Sequence, residues 1–286
     1  MKNQDDSHMG TVQPEPKRKT RKTKKLTEKE LLVDYNYDKL NDDSLLNKYT
    51  MIQHLSSREK KLFEDKFTKP KNGMQRDYSN LLNQKSKKIV VGTGPAGTGK
   101  TLFATETGIK YFLMGTYEKI IFTRPSVSVD EDLGYLPGTL EEKMAPWVRP
   151  IYDILYNFIT PKEVSALIED KIIEIAPLGY MRGRTFKNCW IIADEMQNST
   201  IPQMKMLMTR LGENSRLVIT GDLDQHDRHE EVNGLEDFLN KFKGKRSSSI
   251  TSVEFDRDDI QREEVVKEIL EIYGGDIPIS YSPESK

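Results

Sequence analysis

The sequence predicts an α/β fold in which a parallel sheet is covered by helices on both faces. Two observations lead to this prediction. First, six short runs rich in β-branched and other apolar residues alternate with helical or loop-rich segments, as in a series of βαβ units. Second, the first run leads into a glycine-rich phosphate-binding motif and then a helical stretch, an order typical of the carboxyl edge of a parallel sheet. The predicted strands are residues 89–91, 120–123, 172–176, 189–193, 217–220 and 252–255.

Length and composition narrow the class of protein. The chain has 286 residues, of which 36% are hydrophobic, as expected for a globular core with a polar extension. No run approaches the roughly 20 apolar residues that span a bilayer, and the polar N-terminus lacks the apolar region of a secretory signal. We therefore expect a cytoplasmic protein without membrane contact. The lone cysteine, Cys189, lies in a predicted buried strand and is interpreted as inert core.

Composition divides the chain into four predicted parts. Residues 1–28 hold few apolar residues and are predicted to be a disordered basic tail. Apolar residues at helical spacing between positions 45 and 55 predict a small helical extension over residues 29–66. The core domain then covers residues 67–273, and residues 274–286 are predicted to be a frayed C-terminal tail.

The basic tail concentrates seven positive charges within nine residues, although the net charge of the chain is only −1. Such a tail can solubilise or localise a protein, or it can bind the phosphates of single-stranded RNA or DNA. The sequence alone leaves both interpretations open. The residues concerned are Lys17, Arg18, Lys19, Arg21, Lys22, Lys24 and Lys25.

A phosphate-binding motif of the form G-x-x-x-x-G-K-[ST] follows the first predicted strand. Its glycines let backbone N–H groups turn toward a phosphate, Lys100 neutralises phosphate charge, and Thr101 offers a hydroxyl to Mg²⁺. The N-terminus of the following helix adds positive potential. The motif therefore predicts a nucleoside triphosphate site that is formed by Gly94, Pro95, Ala96, Gly97, Thr98, Gly99, Lys100 and Thr101.

Polar side chains follow two later strands of the predicted sheet. Asp194 and Glu195 end one apolar run, as in a Walker B strand, so Asp194 is expected to support Mg²⁺ and Glu195 to activate the attacking water. The next strand leads to Gln225, whose neutral amide is expected to sense the γ-phosphate. His226 and His229 share its acidic turn, but ligands crowded on one turn are a weak indication of a metal site.

A helix is predicted between these two strands. Pro202 lies in its first turn, and Gly212 is expected to end it. Apolar residues at i, i+3, i+4 and i+7 predict one buried face, formed by Met204, Leu207, Met208 and Leu211.

Longer strings in the chain resemble the PhoH-like family of P-loop ATPases, whose core is similar to one motor domain of the superfamily 1 helicases. The resemblance covers roughly residues 70–273. Besides the Walker motifs it rests on residues 123–125, 133–138, 176–185, 194–198 and 221–225. It implies a RecA/helicase-like P-loop NTPase fold with ATP and Mg²⁺ as cofactors.

The resemblance also implies roles for residues outside the Walker motifs. Gln75 matches an upstream glutamine whose amide can pair with adenine, which favours ATP. The C-terminal signature appears as residues 259–262 and offers Arg262 as an arginine finger, in cis or in trans, with a structural salt bridge as the alternative. Glu263 and Glu264 replace the usual His-Pro. The arginines that can contact phosphates of nucleotide or nucleic acid are Arg124, Arg182 and Arg184.

These residues together predict an ATPase that acts on single-stranded nucleic acid, RNA more than DNA, as a helicase or remodelling enzyme. Because one motor-like domain cannot close a cleft alone, we expect a homo-oligomeric ring, with a hexamer favoured. Two alternatives stay open: an ATP-dependent assembly switch on an RNA-binding protein with little turnover, and a P-loop nucleotide kinase.

Overall fold

The computed structural model of the protein describes residues 56–125, 140–225 and 232–263, together with residues 265, 266, 268, 269 and 272. Six strands form one parallel sheet in the order β3-β2-β4-β5-β1-β6, which confirms the predicted α/β class. The α-helices and strands are, in chain order, α1 (Ser57–Glu64), α2 (Gly73–Asn83), β1 (Ile89–Thr93), α3 (Lys100–Leu113), β2 (Lys119–Arg124), α4 (Leu140–Tyr156), α5 (Pro161–Glu169), β3 (Ile173–Pro177), β4 (Cys189–Ala193), α6 (Ile201–Met208), β5 (Arg216–Gly221), α7 (Gly234–Phe242) and β6 (Ile250–Glu254).

Helices cover both faces of the sheet, as predicted. Successive residues of a strand point to opposite faces, so a strand buried on both sides is apolar throughout. On one face, Val90 and Ile192 belong to a core with helices α2, α3, α4 and α5. On the other face, Val91 and Ile191 pack with helices α6 and α7. The carboxyl edge of the sheet is left free to carry a site.

Local sequence signals start several helices. Asn72 caps helix α2 by accepting a hydrogen bond from the Gln75 N–H. Thr160 and Thr200 begin α5 and α6 with reciprocal capping boxes, and each is followed by proline in the first turn. Met204 is buried in the core on one side of the sheet, as the spacing predicts.

Helix α6 ends at Met208, so the prediction that it continues to Gly212 was wrong. Phe186 forms a parallel bridge with Leu211 instead. The Phe186 N–H donates to the Arg210 carbonyl, and the Phe186 carbonyl accepts from the Gly212 N–H. This pairing with a distant segment uses backbone groups that another helical turn would need.

A buried arginine supports the end of helix α2. The Arg216 side chain at the start of β5 is 2% exposed and donates to the carbonyls of Leu82 at 2.7 Å, Leu81 at 2.9 Å and Gln84 at 2.5 Å. Its guanidinium also lies 5.3 Å from the Trp190 ring centroid. Burial lowers the pKa of Arg216, and the three carbonyls satisfy donors that would otherwise be stranded in the core.

Some predictions fall outside the described residues. They concern the basic tail, most of the helical extension, the C-terminal tail, the string 133–138, and His226 and His229. Helix α1 lies in the part of the extension that is described. Within the described ranges, every helix is too short or too polar to cross a lipid bilayer.

Candidate active site

The phosphate-binding loop runs from the end of β1 into helix α3. Its glycines Gly94, Gly97 and Gly99 have φ angles of 127°, 87° and 91°, which other residues adopt only with strain. A Cβ on Gly94 would lie 2.2 Å from the Phe255 carbonyl oxygen, so the loop and the segment after β6 approach too closely for any side chain there. The motif therefore meets the geometric demands from which it was predicted.

Lys100 is the first residue of helix α3 and reaches back over the loop. Its Nζ donates to the carbonyls of Gly94 at 2.5 Å and Pro95 at 2.6 Å, and to Thr98 Oγ1 at 3.3 Å. Burial lowers the pKa of the Lys100 ammonium, while nearby carboxylates, Asp222 foremost, oppose that shift. A phosphate group in the cavity would give this cation a charged partner in place of two neutral carbonyls.

Asp194 receives two hydroxyl groups at the end of β4. Thr101 Oγ1 donates to Asp194 Oδ1 at 2.8 Å, and Thr220 Oγ1 donates to the same oxygen. Carboxylate and hydroxyl oxygens are the ligands that Mg²⁺ prefers, and it commonly completes its shell with water and substrate phosphates. The Thr101 and Asp194 pair fits a magnesium ion, and among the described residues no group of three acids, histidines or cysteines is built for a metal without phosphate.

Glu195 follows Asp194 with an unusual backbone. Its φ of 53° lies in the left-handed region, which is uncommon for a residue with a side chain. This turn starts a short 3₁₀ segment, Met196–Asn198, and brings Gln197 back toward Glu195. Gln197 Nε2 donates to Glu195 Oε2 at 2.5 Å.

Gln197 also joins Glu195 to the turn after β5. Its Nε2 donates to the Gln225 carbonyl at 3.2 Å, and its Oε1 accepts from the Asp222 N–H at 3.1 Å. The side chain is 1% exposed, so no water competes for these bonds. One carboxamide thus holds the carboxylate expected to act on water and both ends of the turn expected to sense phosphate.

Asp222 places a third carboxylate at the phosphate loop. It is 7% exposed, its carboxylate accepts a hydrogen bond from the Asp224 N–H at 3.2 Å, and it lies close to the Ala96 N–H of the phosphate-binding motif. Burial raises the pKa of Asp222, and the two N–H groups and Lys100 partly oppose this. A carboxylate therefore lies beside a loop N–H group of the kind that binds phosphate.

These side chains surround a cavity of about 240 Å³ at the carboxyl edge of the sheet. Gln225 lies at its rim and is exposed, so its amide is accessible to a bound phosphate. The lining residues are Ala96, Gly97, Gly99, Lys100, Thr101, Leu102, Asp194, Glu195, Gly221, Asp222 and Gln225.

Gln75 lies beneath the phosphate loop and not on a free surface. It is 3% exposed, its Nε2 donates to the Thr98 carbonyl at 3.0 Å, and its Oε1 accepts from the Lys71 N–H at 2.8 Å. The carboxamide thereby ties helix α2 to the loop. An adenine contact would have to share these atoms, and it stays a prediction.

Arg262 lies over the phosphate loop of its own chain. A Cβ built on Gly97 would meet Arg262 Nε at 2.5 Å, so the arginine side chain runs directly across that glycine. The Gln261 N–H donates to the Gly97 carbonyl at 3.0 Å and holds the segment there. Arg262 thus lies against the phosphate loop of its own chain, and its role as an arginine finger stays a prediction.

The other three candidate arginines are separated from one another. Arg184 pairs through both Nη atoms with the carboxylate of Glu174 near the start of β3, and its guanidinium lies 4.7 Å from the Phe186 ring centroid. Arg182 is exposed, and Arg124 is half-buried at the carboxyl end of β2, beside the strand that leads to Asp194. None of these arginines is among the residues that line the described cavity.

Sequence reasoning missed the contributions of Gln197, Asp222 and Thr220. Each lies within two residues of a position or motif that was singled out, so proximity along the chain was the available signal. The roles of these three residues depend on the left-handed turn at Glu195 and on the alignment of β4 with β5, and no local sequence pattern reveals either feature.

Comparison with known proteins found related sequences over most of the chain. The family described as PhoH-like protein matches residues 68–274. A PhoH-like protein of Bacillus subtilis is 42% identical over 221 residues, covering 74% of this chain and 68% of that protein. A PhoH-like protein of Synechocystis is 45% identical over 54% of this chain and 46% of its own length. Protein PhoH of Escherichia coli K12 is 40% identical over 66% of this chain and 53% of its own length. The aligned region therefore spans about half to two thirds of these relatives.

Proposed function

This chain belongs to the PhoH-like family of P-loop ATPases, and from that premise we propose that it binds ATP with Mg²⁺, hydrolyses it, and couples hydrolysis to work on single-stranded nucleic acid, RNA in preference to DNA. One observation carries the catalytic part of the proposal. Thr101 Oγ1 lies 2.8 Å from Asp194 Oδ1, in the same cavity as Lys100 and Glu195. These four side chains are the groups needed to hold a metal ion and a phosphate beside a general base.

The roles follow from the positions of the side chains. Lys100 exchanges its carbonyl partners for the β- and γ-phosphates, while the glycine-rich loop donates N–H groups. Thr101 and Asp194 hold Mg²⁺, which when bound neutralises phosphate charge. Glu195 orients the attacking water and accepts its proton, and Gln225 contacts the γ-phosphate.

Arg262 supplies the additional positive charge that develops over the γ-phosphate in the transition state. An arginine finger is worth about 10³ to 10⁵ in rate. Its position across Gly97 supports action within one chain. We also propose a homo-oligomeric ring, because strand movement requires a second domain to close against this one.

The test of this proposal is phosphate release by the full chain with ATP and Mg²⁺, with and without single-stranded RNA or DNA of equal length. The parent should release phosphate, and Glu195→Gln should retain nucleotide but lose about 10² to 10⁴ in rate because no general base remains. Asn240→Asp, an exposed change on helix α7, is the control and should behave as the parent does.

The outcomes separate the alternatives. Nucleotide binding without phosphate release in the parent would support the assembly switch and refute the ATPase. Transfer of phosphate to a nucleoside monophosphate in place of water would support a kinase. Equal rates with and without nucleic acid would refute the nucleic-acid coupling while leaving the ATPase intact.

The cis assignment of Arg262 has its own test. Lys100→Ala chains and Arg262→Ala chains are each expected to be inactive. If Arg262 acts within its own chain, mixing the two variants restores no activity. Restored hydrolysis on mixing would show that the arginine serves a neighbouring subunit.

A further inference from the structure

Two loops meet at the amino edge of the sheet, at the opposite ends of the strands from the nucleotide cavity. The first joins helix α2 to β1 (residues 84–88), and the second joins helix α7 to β6 (residues 243–249). The Lys88 N–H donates to the Ser249 carbonyl at 2.7 Å, and Lys87 Nζ donates to the Ser247 carbonyl at 3.2 Å. Hydrogen bonds therefore hold the two loops side by side.

The joined loops, which we name the basic edge, contain six positive charges and no acidic residue. All but the half-buried Lys87 are exposed. Within the part of the chain that the structure describes, no carboxylate forms an ion pair with any of them. The six residues are Lys85, Lys87, Lys88, Lys243, Lys245 and Arg246.

Unpaired cations on adjoining loops repel one another, and the ATPase chemistry makes no use of them. A polyanion that lies across both loops would relieve this repulsion and release its own counterions. The chemistry of the loops favours nucleic acid over a lipid surface. Among the described residues, no large exposed hydrophobic side chain lies in either loop, whereas an apolar anchor helps a basic segment to stay on a membrane. Ser248 adds an exposed hydroxyl of the kind that contacts phosphate oxygens.

We propose that the basic edge is a second nucleic-acid contact, which binds the phosphate backbone of single-stranded RNA without reading its sequence. The proposal rests on the nucleic-acid part of the proposed function. Strand β1 leads from this edge to the phosphate loop, and its five residues span about 17 Å. RNA bound here does not touch the nucleotide, so the basic edge retains the strand while the carboxyl edge carries out hydrolysis.

The test is the salt dependence of RNA binding by the full chain. A basic-edge variant replaces four exposed cations whose side chains form no hydrogen bond or ion pair with the described residues. A control variant makes the same charge change elsewhere on the described surface. The basic-edge variant carries Lys85→Gln, Lys243→Gln, Lys245→Gln and Arg246→Gln. The control variant carries Lys66→Gln, Arg149→Gln, Lys162→Gln and Lys205→Gln.

Each phosphate contact to a single strand contributes about −0.7 to the slope of log K against log salt concentration. We expect the slope for a fluorescent single-stranded RNA to become shallower by about 2 to 3 in the basic-edge variant, with at least about 10-fold weaker binding at low salt. The control should keep the parent slope. ATPase without RNA should be the same in all three proteins, because none of the substituted residues lines the cavity.

Three outcomes would overturn the proposal. Equal slopes in parent and basic-edge variant would remove the basic edge from RNA binding but leave the proposed function standing. A parent that binds no RNA would refute both. Unchanged RNA binding combined with lost binding to phosphatidylserine vesicles would identify the basic edge as a lipid contact.

Discussion

Replacing Gln197 with glutamate keeps the shape of this buried side chain but removes the hydrogen bonds that Nε2 donates. One of these bonds goes to Glu195 Oε2 at 2.5 Å and the other to the Gln225 carbonyl at 3.2 Å. In the variant two carboxylates face each other across the shorter gap, so they share one proton at neutral pH. Glu195 then cannot accept a proton from water, and we expect hydrolysis to slow.

The size of the effect follows from the two bonds. A hydrogen bond to a charged group contributes about 1.5–3 kcal/mol, and one between neutral groups about 0.5–1.5 kcal/mol. Loss of both bonds, as in Gln197→Met, removes about 3 kcal/mol of support for Glu195 and the Gln225 turn, which corresponds to about a 100-fold decrease in kcat. We expect a decrease of similar size in Gln197→Glu, because the shared proton occupies the base. Because Gln197 is not among the residues that line the cavity, ATP affinity should change by less than about 3-fold.

The assay is kcat for phosphate release as a function of pH. Gln197→Glu should lose rate at neutral pH and recover part of it at higher pH, where the shared proton leaves. Gln197→Met, which keeps the volume without adding charge, should lose rate with no displacement of the pH profile. Asn240→Asp controls for an added acid at an exposed site. A Gln197→Glu enzyme with parental kcat and pH profile would refute the positioning role.

Three further predictions concern charged groups in the core and at the cavity. Lys100→Met should abolish the thermal stabilisation by ATP and Mg²⁺, which in the parent reaches about 2.7 kcal/mol at a ligand concentration 100-fold above Kd. The variant should not lower the Tm of the free protein, because burial disfavours the charged ammonium of Lys100. Asp222→Asn should raise the Tm and tighten ATP binding near neutral pH. Since burial raises the pKa of Asp222, the parent protein becomes more stable as the pH falls and this carboxylate takes up a proton. The Tm difference between Asp222→Asn and the parent should therefore disappear as the pH approaches about 4. Arg216→Met should lower the free energy of unfolding in urea by about 3 kcal/mol, because it removes three hydrogen bonds to backbone carbonyls, one of them the buried bond to Leu82. The exposed Arg76→Met should change the free energy by less than about 0.5 kcal/mol.

Much of the scaffold could be predicted because its signals are local. The runs that become β1 and β4 are apolar on both faces, and each occurs within a residue or two of its predicted position. The glycines of the phosphate-binding motif indicate where the backbone takes positive φ angles, and Asp194 was predicted because it is the first residue after an apolar strand. In each case a few neighbouring residues contain the information that the structure uses.

Contacts between distant segments could not be predicted in this way. The end of helix α6 depends on Phe186, which lies well before it in the sequence. The burial of Arg216 depends on helix α2, whose carbonyls are more than 130 positions away. Asp222 looked like one acid in a polar turn, and only the approach of Ala96 shows that its carboxylate lies at the phosphate loop.

The segment after β6 closes over the start of the domain. Phe255 leaves room only for glycine at position 94, the Asp259 carbonyl accepts from Asn72 Nδ2 at 3.3 Å, and Arg262 crosses Gly97. During synthesis every Walker residue therefore emerges before the segment that packs against the phosphate loop. A nascent or prematurely terminated chain that stops before this segment contains every Walker motif, but its phosphate loop lacks the contacts that hold it in place.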